Sequence, residues 1–221
     1  MARVPGVLLG AAMLCVAAPL AAQDAPWVDQ WFWGAQAGVT RFRTPEASAS
    51  WETGYTFGAH WLITGKRMGL QLSYDHLLYD DALSIMNDPT SGTGTRTVQF
   101  DNGRYIQADL LAMPLKGTIQ VLVGVGLTLH NISDASVQGT FATPEDQAVS
   151  QQLAEDAASR AFFNIMGGVQ MMLGGKAALY ASYEFIPSTD NFLLSDEQHA
   201  FVAGLRYSFG SRKEDVTTSN R

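Results

Sequence analysis

The sequence predicts an all-β fold, an eight-stranded antiparallel up-and-down β-barrel that spans a membrane. Three observations predict it. Eight segments alternate apolar with small or polar residues, short and long connections alternate between them, and no later segment is long and apolar enough for a membrane helix. The composition agrees, because only 16% of the 221 residues are charged and 21 are glycine.

The first 22 residues are predicted to be a secretory signal peptide. Arg3 precedes a short apolar run at 7–18, and the small residues Ala21 and Ala22 offer a cleavage point. A lipoprotein alternative would need acylation of Cys15, which lies inside the apolar run and is the chain's single cysteine. Beyond the signal peptide we expect a periplasmic N-terminal segment at 23–30, the barrel at 31–210 and a polar periplasmic tail at 211–221.

The segment 119–129 shows the pattern best, because all of its odd positions are large aliphatic residues and most of its even positions are small or polar. A strand places alternate residues on opposite faces, and eleven residues are enough to cross a bilayer at a tilt. The same alternation predicts the other strands and their outward faces. The eight predicted strands are 33–39, 55–63, 68–78, 105–114, 119–129, 162–173, 177–185 and 201–209.

The connections predict which side each barrel end faces. Those at 64–67, 115–118 and 174–176 are tight, whereas 41–50, 80–97, 131–160 and 186–198 are long. Outer-membrane barrels have short periplasmic turns and long extracellular loops, so both termini are expected on the periplasmic side.

Aromatic residues are predicted to form two belts at the membrane interfaces. A soluble barrel or sandwich is the alternative, but it would not explain large aromatics at both ends of the apolar face. The lower belt comprises Trp27, Trp31, Trp33, Trp61, Tyr207 and Phe209. The upper belt comprises Trp51, Tyr55, Phe57, Tyr79, Tyr105, Phe162, Phe163, Tyr183 and Phe185.

One long loop is predicted to contain a short helix over the barrel mouth. Thr143 can cap it, Pro144 suits its first position, and two acidic residues follow. The expected packing face comprises Val149, Leu153 and Ala157.

The closing segment FVAGLRYSF, with Tyr207 and Phe209 in alternation, is similar to the C-terminal strand of the small outer-membrane β-barrel superfamily. This superfamily includes the OmpA membrane domain and the OmpX and OmpW-type proteins, and the resemblance covers nearly all of 31–209. Many members end at that aromatic residue, whereas this chain continues. The resemblance implies insertion by the outer-membrane assembly machinery after transit with periplasmic chaperones, and it implies no single activity.

Five polar residues on predicted inward faces are the candidate site: Asp75, Asp109, Glu184, Arg206 and His60. The interior of an eight-stranded barrel is just wide enough to be filled by side chains, and a buried charge needs a partner. We therefore expect a structural polar network that plugs the barrel, with a narrow polar path as the alternative. Asp75 and Asp109 are expected at similar heights, with Arg206 or His60 nearby.

Two further clusters are weaker candidates. His130, Ser133 and Asp134 contain the residue types of a hydrolase, but their spacing matches no known motif. Asp80, Asp81 and Asp88 form an acidic stretch that could bind divalent cations, although a solvated loop is the simpler interpretation. No catalytic site, cofactor site or metal site is predicted.

The expected function is a structural or surface-interaction barrel of the cell outer membrane, without enzymatic activity. A small channel of the OmpW type is the alternative, and a lipid-modifying enzyme is a weaker one. The net charge of −7 argues against nucleic acid as a partner. Expected partners are outer-membrane lipids, including lipopolysaccharide, and the chain is expected to be a monomer.

Overall fold

The computed structural model describes residues 28–45, 50–115, 117–174, 176–187 and 191–211. The predicted signal peptide, Trp27 and the tail after residue 211 lie outside these residues.

Eight long antiparallel strands close into a barrel. The strand order β3-β2-β1-β9-β8-β7-β5-β4 is completed by pairing of β3 with β4, and the two-residue β6 adds to the outer part of β4. This confirms the predicted up-and-down barrel. The elements are β1 (Gln30–Phe42), β2 (Glu52–Thr64), β3 (Met68–Asn87), β4 (Thr95–Ala112), β5 (Ile119–Ser133), β6 (Ser136–Val137), α1 (Pro144–Ala157), β7 (Ser159–Leu173), β8 (Ala177–Ile186) and β9 (Gln198–Ser211).

The predicted inward and outward faces agree with the burial pattern of all eight long strands. In β5, for example, Leu127 is 64% exposed while its neighbour Thr128 is fully buried. The outward face carries large apolar side chains around the whole barrel, as a lipid-facing surface requires.

A glycine allows two neighbouring strands of this narrow barrel to approach closely. A Cβ at Gly38 would lie 2.1 Å from the Phe201 carbonyl oxygen, so that β1 and β9 pair where a side chain would not fit.

Short and long connections alternate as predicted, but the loop predicted at 80–97 is much shorter than expected. β3 extends to Asn87 and β4 begins at Thr95, so the two strands form a long hairpin beyond the barrel. The pairing shifts register between Leu78 and Ala82, where Asp81 has a φ of 48°. The prediction failed because this irregularity interrupts the alternation, which resumes with buried Ala82 and Met86.

The predicted aromatic belts are correct only in part. Tyr55, Phe57, Phe163 and Tyr183 are exposed at the upper end, and Trp31 and Trp33 flank Trp61 at the lower end. Three residues assigned to the upper belt instead point inward because of their parity along the strands. They are Tyr79, Tyr105 and Phe162.

In the described part of the chain, no helix has both the length and the apolar character needed to cross a membrane.

A charge in the middle of the lipid-facing surface should destabilise the barrel far more than an equally exposed charge outside the membrane. Val125→Arg, at a position 46% exposed in β5, is expected to lower the free energy of unfolding by about 2–4 kcal/mol in lipid vesicles. Val149→Arg, at a position 47% exposed on α1, is the matched control and should change it little. Equal effects of the two substitutions in urea unfolding would contradict the assigned lipid-facing surface.

Candidate functional site

The upper interior of the barrel is filled by an apolar cluster. Inward residues from the upper strand ends pack with α1 and with the connection between β8 and β9. The layer includes Phe42, Leu77, Tyr79, Met86, Phe100, Tyr105, Phe162, Phe192 and Leu193. His130 lies within it, and its Nε2 is 2.7 Å from the Tyr79 hydroxyl. We call this cluster the upper apolar layer.

A second apolar cluster fills the interior toward the short-turn end. Most of its members lie within three residues of a strand end on that side. It consists of Phe32, Leu62, Leu111, Met166, Met172 and Ala178, none more than 2% exposed. We call it the lower apolar layer.

Between these two layers lies a polar layer centred on Arg206 in β9. Its fully buried guanidinium donates to His60 Nε2 at 2.8 Å, to Gln170 Oε1 at 2.6 Å and to Gln71 Oε1 at 2.6 Å. The guanidinium carbon lies 3.8 Å from the centre of the Tyr180 ring. Every one of these donors is therefore bonded to a neutral acceptor.

A chain of hydrogen bonds links Arg206 to Asp75. His60 Nε2 accepts from Arg206, while His60 Nδ1 lies 3.2 Å from the Tyr180 hydroxyl. The Tyr180 hydroxyl donates to Gln36 Oε1, and Gln36 Nε2 donates to Asp75 Oδ1 at 2.6 Å. The guanidinium and this carboxylate are thus connected by hydrogen bonds through three neutral side chains and are not in direct contact.

The other two carboxylates are held by amides. Gln107 donates to Glu184 Oε2 at 2.9 Å, and Asn164 donates to Asp109 Oδ1 at 2.7 Å. No described cation forms an ion pair with Asp75, Asp109 or Glu184.

The strand register does not support the expected similar heights of Asp75 and Asp109. Asp75 pairs with Tyr105 and Asp109 with Gln71, so the two acids are four positions apart along the β3–β4 ladder. Sequence spacing could not show this because the register depends on where the hairpin turn closes.

The neutral members of the polar layer were missed as site residues. They share inward positions on predicted strands, where an amide or a phenol has no lipid-facing role. They are Gln36, Gln71, Gln107, Asn164, Gln170 and Tyr180. Strand parity could have identified them, because it assigned the correct inward face to each strand.

The outer end carries an ordered cap. The predicted helix is confirmed: Thr143 Oγ1 accepts from the Asp146 amide, and the Asp146 side chain bonds the Thr143 amide in return. The predicted packing face is partly wrong, because Val149 is exposed while Ser150 and Ala154 are buried.

A buried ion pair, which we call the Asp88 latch, fastens this helix to the β3–β4 hairpin. Asp88 accepts from Arg96 Nε at 2.5 Å and from Ser150 Oγ at 2.6 Å, while its other oxygen accepts from Thr90. The predicted solvated acidic loop is therefore wrong for Asp88, which is fully buried, while Asp80 and Asp81 are exposed. Although burial raises its pKa, the bonds from Ser150, Arg96 and Thr90 hold the pKa of Asp88 well below its usual range.

The hydrolase candidate is not assembled. The His130 side chain points into the upper apolar layer, whereas Ser133 accepts a hydrogen bond from Arg104 and Asp134 is exposed. Among the residues that the structure describes, no three His, Cys, Asp or Glu side chains are grouped to bind a metal ion.

The chain belongs to the outer membrane protein beta-barrel domain family, whose sequence profile matches residues 7–209. No curated protein matches the sequence. The fold is similar to that of Neisserial surface protein A, with a TM-score of 0.52 and 12% identity over 81% of this chain and 97% of that one.

Two other solved structures are less similar. They are Ail of Yersinia pestis (TM-score 0.41, 11% identity, 81% of this chain and 99% of that one) and OprG of Pseudomonas aeruginosa (0.43, 9%, 83% and 98%). Family membership and the closed barrel place this protein in the cell outer membrane. The soluble alternative is therefore wrong.

Removing the buried guanidinium should destabilise the barrel strongly. Arg206→Met leaves His60, Gln170 and Gln71 without their donor, and we expect a loss of about 3 kcal/mol in the free energy of unfolding. The folded band should then lose its resistance to heating in detergent during electrophoresis. Lys176→Met, at an exposed short turn, is the control, and unchanged migration of both variants would contradict the role of Arg206.

The cap should loosen when Asp88 is neutralised. Folding lowers the pKa of Asp88, so its ionised form stabilises the folded cap. This stabilisation is complete above the ordinary carboxyl pKa of about 4 and is lost as the pH falls below that value. Asp88→Asn should remove the contribution at neutral pH and speed amide exchange in α1 about tenfold, which corresponds to roughly 1.4 kcal/mol. Asp101→Asn, an exposed carboxyl of the same outer region, should leave exchange unchanged. Equal exchange in Asp88→Asn and wild type would refute the latch.

Proposed function

We propose that this protein is a plugged outer-membrane barrel that anchors an ordered surface outside the cell, and that its function is structural or surface interaction. The observation that supports the proposal most is the pair of apolar layers, each formed by buried side chains across the interior. Water and ions cross a barrel only along a continuous polar path. Two apolar layers in series interrupt such a path at both ends.

The outer end has the features of a binding platform. β3 and β4 extend beyond the register shift, α1 packs beside them, and the Asp88 latch joins the two. A preordered surface loses less conformational entropy on binding than flexible loops do. A surface-interaction role explains why the chain stabilises this end with its own apolar core.

The proposed surroundings are outer-membrane lipids, including lipopolysaccharide, which the apolar outward face and the exposed aromatics would contact. We also propose that the chain reaches this membrane through periplasmic chaperones and the assembly machinery, and that it functions as a monomer. The proposed role is non-catalytic, which fits the separation of His130 from Ser133.

Conductance in planar bilayers tests the plug. The refolded wild type should give no stepwise current, because either apolar layer alone blocks ions. Phe32→Ala, which thins only the lower layer, should remain silent for the same reason. Discrete openings of the wild type would favour the small-channel alternative, and a mass shift of lipid A on expression would favour an enzyme.

A further inference from the structure

The turn between β2 and β3 carries two positive charges without carboxylate partners. Lys66 and Arg67 are exposed, and neither forms an ion pair with any residue that the structure describes. At the outer end, by contrast, Arg43 and Arg96 each form an ion pair with an aspartate. The two charges of the turn are therefore available to an anion from outside the chain.

The backbone holds this turn at the boundary of the lipid-facing surface. The amide of Gly65 donates to the Met68 carbonyl oxygen at 2.7 Å, and the amide of Met113 donates to the Arg67 carbonyl oxygen at 2.8 Å. The turn follows the end of β2 at Thr64 and directly precedes the start of β3. Short turns of outer-membrane barrels face the periplasm, which puts both cations near the headgroups of the periplasmic leaflet.

A groove on the lipid-facing surface begins directly beside these charges. Trp31, Ile63 and Leu70 form one row across β1, β2 and β3, and the half-buried Ile63 lies between two exposed neighbours. Together with Met68, these side chains line about 390 Å³ of open space. Met68 also lines an adjoining hollow with the two cations of the turn, so the apolar groove and the basic turn are continuous.

We propose that the basic turn and the groove bind one anionic phospholipid of the periplasmic leaflet, with its phosphate at Lys66 and Arg67 and one acyl chain in the groove. Basic residues beside a membrane attract anionic headgroups, and tryptophans such as Trp31 favour the interface between headgroups and hydrocarbon. The exposed groove walls are apolar, so they suit an acyl chain and offer a polar occupant no partner. This site depends on the location of the barrel in the outer membrane, and not on the proposed plug or surface role.

Lipid binding to the delipidated barrel tests this proposal. The barrel is refolded in an uncharged detergent, titrated with phosphatidylglycerol or with phosphatidylcholine of the same acyl chains, and measured by native mass spectrometry. We expect one phosphatidylglycerol per barrel to bind about tenfold more tightly than phosphatidylcholine. Excess glycerol 3-phosphate, which has the phosphate without acyl chains, should not displace this lipid. Equal binding of the two lipids, or displacement by glycerol 3-phosphate, would overturn the proposal.

Matched variants locate the site. Lys66→Gln combined with Arg67→Gln removes both charges from the turn, and the affinity for phosphatidylglycerol should fall about tenfold. Lys176→Gln, which removes an exposed cation from another short turn, should leave the affinity unchanged. Leu70→Trp fills the groove and should weaken the binding of both lipids, whereas Leu179→Trp, at a similarly exposed position on β8, should not. Wild-type affinity in the double variant or in Leu70→Trp, or an equal loss with Lys176→Gln, would also overturn the proposal.

Discussion

Closure of the sheet is the constraint on which the rest of the structure depends. In hydrocarbon an unpaired backbone N–H or C=O group costs several kcal/mol, so no strand can remain an edge. β1 therefore pairs with β9 along nearly its whole length, as β3 does with β4. Closure with only eight strands leaves a narrow interior, and every second side chain must fit inside it.

The polarity of the molecule reverses along the barrel axis. Within the membrane the outside is apolar, and the middle of the interior holds Arg206 and three carboxylates. Beyond the register shift at Leu78 and Ala82 the outside carries exposed acids such as Asp81, and the interior becomes apolar. The outer hairpin has water around it, so it needs an apolar core of its own, and that core closes the barrel.

The alternation of apolar and polar residues along the strands made the barrel and the inward positions of its polar residues predictable. Strand faces depend on a period of two, which is local, so the inward positions of Asp75 and Arg206 followed from the sequence. The hydrogen-bond partners of these two residues depend on the strand register and on which side chains face them from other strands. The bond from Gln36 to Asp75 joins residues that are 39 positions apart, and that from Arg206 to His60 joins residues 146 apart. The prediction that Asp88 is solvated failed for a related reason, because its partner Ser150 belongs to a helix that is distant in the sequence.

The central claim is that the polar layer is closed to solvent from both ends, and thiol accessibility tests it most directly. Cys15 is the only cysteine of the chain, so in a Cys15→Ser background a single introduced cysteine can be probed alone. Ser73→Cys places a thiol in the polar layer, where Ser73 is 6% exposed, and Thr93→Cys places one in the exposed turn of the outer hairpin. We expect a membrane-impermeant charged thiol reagent to modify the Thr93→Cys variant rapidly. The same reagent should leave the Ser73→Cys variant unmodified while the barrel is folded. Modification of both positions at similar rates would contradict the account.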